Sequence, residues 1–313
     1  MNEIIEMGEI IGGVENVPGL KHHELKVCGG PMSVYEAGDP ERPTVVMLHG
    51  AMYDEARFIW DQMFPFLSKD YHIFALDTPR HGKSRPWKGS MDRLRLMDIF
   101  HSTFSQLGLE YFSLVGLSMG GGLSIDYASL YPDEVKSMVL FEPGGLGEKV
   151  DLELITWLYV KSPGMLRMLS RKYVKKDRAF MRKILESIYA GGSKPTDPDR
   201  LISILIDETK GKFNNLENDM DDWQLNCIGP FRLKWNLLDR IPLIKCPTLW
   251  LRGAESKLVK QNEMERAVRL AIDGGSEAEL RIIRNAGHIL PLEQPEQANT
   301  AVKEFLDRTL SSC

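Results

Sequence analysis

The sequence predicts an α/β protein: a mostly parallel β-sheet with helices on both faces. Three observations predict it. Short apolar runs of strand length recur along the chain, such as "TVVMLHG" at 44–50 and "SMVLFE" at 137–142. Stretches with apolar residues at helical spacing separate them. The run at 44–50 is apolar almost throughout, as expected of a strand buried on both faces. Strand alternating with helix gives parallel pairing. In such sheets, ligands bind beyond the carboxyl ends of the strands.

Taken in order, residues 1–22 have weak periodicity and read as a leader. The strand-like runs are "HELKVC" (23–28), "MSVYEAG" (32–38), 44–50, "HIFALD" (72–77), "FSLVG" (112–116), 137–142, "TLWLRG" (248–253) and "ELRIIRN" (279–285). Helical patterns lie near 55–67, 91–107, 119–131, 259–273 and 294–310. Between 146 and 240 strand signals stop. Met, Trp and Leu recur there at helical spacing, interrupted by the loop "GGSKPTDPD" (191–199). This segment reads as a helical insertion that divides the sheet domain into 23–145 and 241–313.

The chain has 313 residues, 43% hydrophobic and 27% charged, which suits a large core. A net charge of −5 gives no footprint for nucleic acid and no basic field for membranes. Four cysteines, at 28, 227, 246 and 313, have no metal-ligand spacing and are few for a disulfide scaffold. The start, "MNEIIEMGEI", is acidic where a signal peptide would be basic. No apolar run approaches the length of a transmembrane helix. These features are read as a cytoplasmic protein with reduced thiols. Nothing in the sequence fixes an oligomeric state.

The chemistry is carried by "VGLSMGGG" at 115–122. Ser118 follows a predicted strand, opens a predicted helix and is flanked by Gly116 and Gly120. That is the context of a nucleophile elbow, where the turn is so tight that the residues two before and two after must be small. Helix N-termini also present unpaired N–H groups that favour a developing anion, and the N–H of Met119 is one.

A serine hydroxyl needs a base. Of the seven histidines, His288 in "RNAGHILPLEQPEQ" lies just past the last predicted strand, on a loop that reaches the same sheet edge as Ser118. "LHGAMYD" (48–54) follows the third strand. Its His49-Gly50 lets the backbone pass closely, so Ala51 N–H pairs with Met119 N–H as two donors to an oxyanion. Gly50 is the supporting residue, and His49 reads as structural.

With "VMLHGA", "LDTPRHGKS", "VGLSMGG", "PTLWLRG" and "NAGHILPLEQPE" in this order, the chain resembles the α/β-hydrolase superfamily over about 30–145 and 240–310. The resemblance implies an eight-stranded sheet, a helical cap inserted after the sixth strand and no cofactor or metal. It makes Ser118 the nucleophile and His288 the base. Arg80 departs from the family pattern by replacing a glycine in the loop after the fourth strand.

The acid departs too. The family usually places it three residues past the glycine of the turn after the seventh strand. Here that turn is "RGAESKLV", and the position holds Ser256. Glu255 is one residue short of it. Glu142 ends the sixth strand in "LFEPGG", where some members carry the acid. A carboxylate on an otherwise apolar strand end needs a partner. Glu142 is therefore preferred over Glu255, with Ser256 as its hydrogen-bond companion.

Within the insertion, Trp157, Met165, Met168 and Phe180 are candidates to line an apolar pocket. The basic stretch 167–183 is read as a solvated helix face, balanced by the acidic "ENDMDD" (217–222), with contact to an anionic membrane or substrate as the alternative. The expected function is a serine hydrolase acting on an ester or related acyl bond of a small, largely apolar substrate. The alternatives are carbon–carbon bond, lactone or amide hydrolysis or acyl transfer on the same triad, and a small-molecule receptor on the same fold.

Overall fold

The computed structural model describes residues 13–310, apart from 149–152, 163, 167, 169–176, 190–194, 196, 219 and 235. Eight strands form one sheet: β1 (Lys21–Val27), β2 (Gly30–Ala37), β3 (Thr44–Leu48), β4 (His72–Asp77), β5 (Phe112–Leu117), β6 (Val135–Phe141), β7 (Thr248–Gly253) and β8 (Ala278–Ile283). Their order is β1-β2-β4-β3-β5-β6-β7-β8. The pairs β1/β2 and β2/β4 are antiparallel, and every other pair is parallel.

Helices α1 (Ala56–Ile59), α2 (Met63–Leu67), α3 (Arg93–Gln106) and α4 (Met119–Leu130) connect the first six strands. Between β6 and β7 the described elements are helical: α5 (Glu153–Lys161), α6 (Arg178–Ile188), α7 (Pro198–Asn214) and α8 (Asp222–Cys227), besides a 3-10 turn. The chain then closes with α9 (Gln261–Asp273), α10 (Leu290–Glu293) and α11 (Pro295–Leu310).

The apolar runs bury on both faces because alternate residues of each strand enter different core layers. Val45, Met47, Val115, Leu117, Val139 and Phe141 pack on one face with Trp60, Phe64 and Phe305. Val46, Leu48, Leu114, Met138, Leu140 and Trp250 pack on the other with Phe100, Leu123 and Met264.

Three boundaries differ from expectation for local reasons. The helix expected over 55–67 is two short helices, and Pro65, which has no N–H to donate, falls in the first turn of the second. Strand β3 stops at Leu48, because Gly50 N–H turns away to the Asp54 carboxylate at 2.5 Å. The described end of the expected leader is packed: Val14 is fully buried, Gly13 N–H donates to the Asp61 carbonyl, and β1 begins at Lys21. Short polar and glycine-rich segments carry little periodicity even when one apolar side chain anchors them. Among the described residues, no helix is long and apolar enough to cross a membrane.

Candidate active site

The parallel register aligns strand ends. Leu48 pairs with Gly116, Leu117 with Phe141, and Phe141 with Leu251. The residues that leave β3, β5, β6 and β7 therefore emerge side by side.

Ser118 emerges from β5 at φ 52, ψ −112, and α4 starts at the next residue. The turn depends on its glycines. A Cβ at Gly116 would lie 2.6 Å from the Gly120 carbonyl oxygen, and one at Gly120 only 2.1 Å from that of Leu48. The Ser118 N–H donates to the Phe141 carbonyl at 2.9 Å, and its own carbonyl accepts from Gly144 N–H at 2.8 Å. Those bonds tie the serine to both sides of Glu142-Pro143. A non-glycine residue at positive φ costs of order 1–3 kcal/mol and persists where its surroundings hold it. Glu142 has the same feature, with φ 41.

Glu142 is completely buried. Its Oε1 accepts from Gly253 N–H at 2.9 Å, and its Oε2 accepts from Ser256 Oγ at 2.6 Å and from His288 Nδ1 at 2.7 Å. A carboxylate only accepts, so His288 donates through Nδ1, and Nε2 is the ring nitrogen left with a lone pair. The His288 side chain is 18% exposed. Glu255 is exposed, and its backbone N–H donates to the Ala286 carbonyl. The structure thus joins Glu142, Ser256 and His288 and leaves Glu255 outside. Ser256 occupies the turn after β7 as a donor to a carboxylate that arrives from β6.

The loop after β3 is held at several points. Thr78 N–H donates to His49 Nε2 at 2.9 Å, which leaves His49 Nδ1 to donate to the Gly50 carbonyl at 2.7 Å. Complete burial, with His81 nearby, keeps the His49 ring well below its ordinary pKa, so it is neutral and structural. Gly50 N–H is taken by Asp54 and Met52 N–H by Asp221 Oδ2 at 2.9 Å. Among the described residues, the N–H groups of Ala51 and Met119 have no acceptor.

The sequence reading missed Asp221 and its surroundings. Asp221 Oδ1 accepts from His81 Nε2 at 2.8 Å and lies 3.3 Å from Lys212 Nζ. The His81 Nδ1 faces the Asp54 carbonyl at 2.7 Å. Burial alone would raise the Asp221 carboxyl, but His81, Lys212 and the Met52 N–H outweigh it and hold it well below the carboxylate range. Arg85 pairs with buried Glu208 on α7 at 2.7 Å. Arg80, at φ 70, donates to Asp222 at 2.7 Å, so the departure from glycine keeps a positive φ and adds a contact to the insertion. The signal was the acidic run 217–222, which looked like a counterweight to the basic stretch.

The expected pocket residues lie in different surroundings. Trp157 packs in a small cluster with Val160, Leu166 and Ile228, Phe180 leans on the main core, and Met168 is 51% exposed. Met165 is half-buried. Helical spacing of large apolar residues is the same for packing and for lining, so sequence alone does not separate the two. Most of the basic stretch 167–183 and of the loop 191–199 lies outside the described residues.

With this geometry in place, the comparison with known proteins is direct: residues 43–295 match the family model described as alpha/beta hydrolase fold. The chain belongs to the α/β-hydrolase family. It is 24% identical over 279 residues to carboxylesterase YbfK of Bacillus subtilis, covering 88% of this chain and 84% of that one. It is also 24% identical over 297 residues to 2-hydroxy-6-oxo-6-phenylhexa-2,4-dienoate hydrolase of Comamonas testosteroni, covering 87% and 89%. Among solved structures, a bacterial membrane phospholipase A shares the fold with a TM-score of 0.71 at 22% identity, over 93% of this chain and 87% of that one. The relatives thus include a carboxylesterase and a dienoate hydrolase.

Proposed function

We propose that this α/β-hydrolase is a serine hydrolase that cleaves an ester or related acyl bond of a small, largely apolar substrate. The observation that carries it is the 2.7 Å contact of His288 Nδ1 with a fully buried Glu142, beside the strained turn of Ser118. Ser118 Oγ attacks the acyl carbon and gives its proton to His288 Nε2. Glu142 holds the ring in the tautomer that can accept it and stabilises the imidazolium that forms. The N–H groups of Ala51 and Met119 receive the oxyanion. Collapse expels the alcohol, which takes the proton from His288. Water repeats the sequence and frees the acid. The segment 146–240 acts as a cap over the strand ends.

A second reading rests on the Comamonas relative: the same three residues serve carbon–carbon bond hydrolysis of a dienoate-type substrate. A panel of p-nitrophenyl esters against vinylogous diketones separates the two.

The test of the serine is a fluorophosphonate probe with mass spectrometry. Labelling is expected at Ser118 and is lost in Ser118→Ala along with turnover. A folded wild type that stays unlabelled favours a small-molecule receptor on this fold. Turnover retained by Ser118→Ala refutes the nucleophile.

A further inference from the structure

The geometry points to Asp221, a residue of the inserted segment, as the positioning residue of the oxyanion loop. This rests on the serine-hydrolase reading above. The loop after β3 has three successive N–H groups, at 50, 51 and 52. The Gly50 N–H is held from within the loop by Asp54, and the Met52 N–H is held from the insertion by Asp221 Oδ2. Pinning the peptide units on either side leaves the Ala51 N–H, among the described residues, without a protein acceptor. Met52 sits at φ 67, a conformation that a methionine leaves unless something holds it.

The same carboxylate is itself fixed from two further sides, and the Asp221 backbone is fixed as well. His81, on the loop after β4, donates to Oδ1, and Lys212 of α7, almost fully buried, lies against that oxygen. The Asp221 N–H donates to the Gln224 side chain as α8 begins. His81 in turn touches the Asp54 carbonyl, so both clamps on the oxyanion loop meet at one imidazole. Glu208 stands 3.7 Å from His81 and 4.0 Å from Lys212, and it carries the Arg85 pair. The insertion thus completes the turn that presents one of the two oxyanion donors, besides covering the strand ends. Undocking it frees Met52 and lets the 50–52 turn relax.

The neighbouring acid gives an internal control. Asp222 also docks the insertion, through Arg80 at 2.7 Å and the Met91 N–H at 2.7 Å, but among the described residues it makes no bond to the loop 49–55. Loss of docking alone would therefore follow from either acid, whereas loss of the oxyanion turn follows from Asp221.

The experiment measures kcat and KM for p-nitrophenyl butyrate, with fluorophosphonate inactivation rates, in the full-length protein. Misplacing a reacting group by about an ångström costs about 100-fold in rate. Asp221→Ala is expected to lower kcat about 100-fold with KM within about threefold, and to slow inactivation in parallel. Asp221→Asn keeps an oxygen for the Met52 N–H and is expected to recover about tenfold of that loss. Asp222→Ala is expected to keep kcat within about threefold. Should Asp221→Ala fail to fold, Asp221→Ala/Lys212→Met also removes the buried ammonium that Asp221 faces and is held to the same criteria. A folded Asp221→Ala with kcat near wild type, or an equal loss in Asp222→Ala, overturns the inference. Ser118→Ala separates the two levels. If it is inactive while Asp221→Ala is normal, only this inference fails; if it retains turnover, the hydrolase reading fails with it.

Discussion

Glu142→Gln is the most informative single substitution in the proposed triad, because the hydrogen bonds around residue 142 dictate how the amide must sit. Oε1 accepts from the Gly253 N–H, a backbone donor that cannot reverse. The amide oxygen is therefore held at that position, since an NH2 there would oppose N–H to N–H at a buried site, at about 1–3 kcal/mol. The NH2 then occupies the place of Oε2. The Ser256 hydroxyl can rotate and accept from it. His288 can meet it only with an unprotonated Nδ1, which moves the ring proton to Nε2 and removes the lone pair that the proposed mechanism needs. A catalytic histidine in the wrong tautomer typically costs about 10⁴ in kcat, or about 5 kcal/mol of transition-state stabilisation. Steady-state hydrolysis of a p-nitrophenyl ester measures it, and ¹⁵N shifts of His288 read the tautomer directly. Glu255→Gln, at an exposed position, is expected to stay within about twofold. A loss below about tenfold in Glu142→Gln, or a larger loss in Glu255→Gln, refutes the reasoning.

Two other predictions concern the packing of the fold. Gly120→Ala places a Cβ 2.1 Å from the Leu48 carbonyl oxygen and 2.5 Å from that of His49. Backbone cannot yield as a flexible side chain can, so a loss of about 2–3 kcal/mol in a denaturant titration is expected, and an unchanged midpoint would contradict the packing. Burial pushes the thiols of Cys227 and Cys246 up to about 12, whereas Cys28 is exposed. Iodoacetamide at about pH 8.5 is expected to label Cys28 in the native protein, and Cys227 and Cys246 only on unfolding, as read by peptide mass mapping. The folded chain keeps two protons that the unfolded chain gives up, so these groups lower stability as the pH rises from about 9 towards 12.

The sheet and one side of the candidate site are legible in the sequence. Apolar runs such as 44–50 and 112–116 can be satisfied only by burial on both faces, so they read as central parallel strands. The glycines at 116 and 120 mark a turn whose chemistry is local, and local constraints are written in consecutive residues. The sequence preferred Glu142 and kept Glu255 as second choice, since both lie at or just past the end of a strand. Tertiary structure decided that geometry by bringing Gly253, Ser256 and His288 to one buried carboxylate from three separate segments.

Asp221 was invisible for the same reason. Its partners, Met52, His81 and Lys212, are far apart in the chain. An acidic residue in a charged run looks the same whether it faces water or anchors a loop. Spacing reports the period of one element, while contacts between elements depend on how the sheet orders its strands and where the insertion lands. Those are properties of the packed chain, in which a buried charge must find its partners wherever the fold places them.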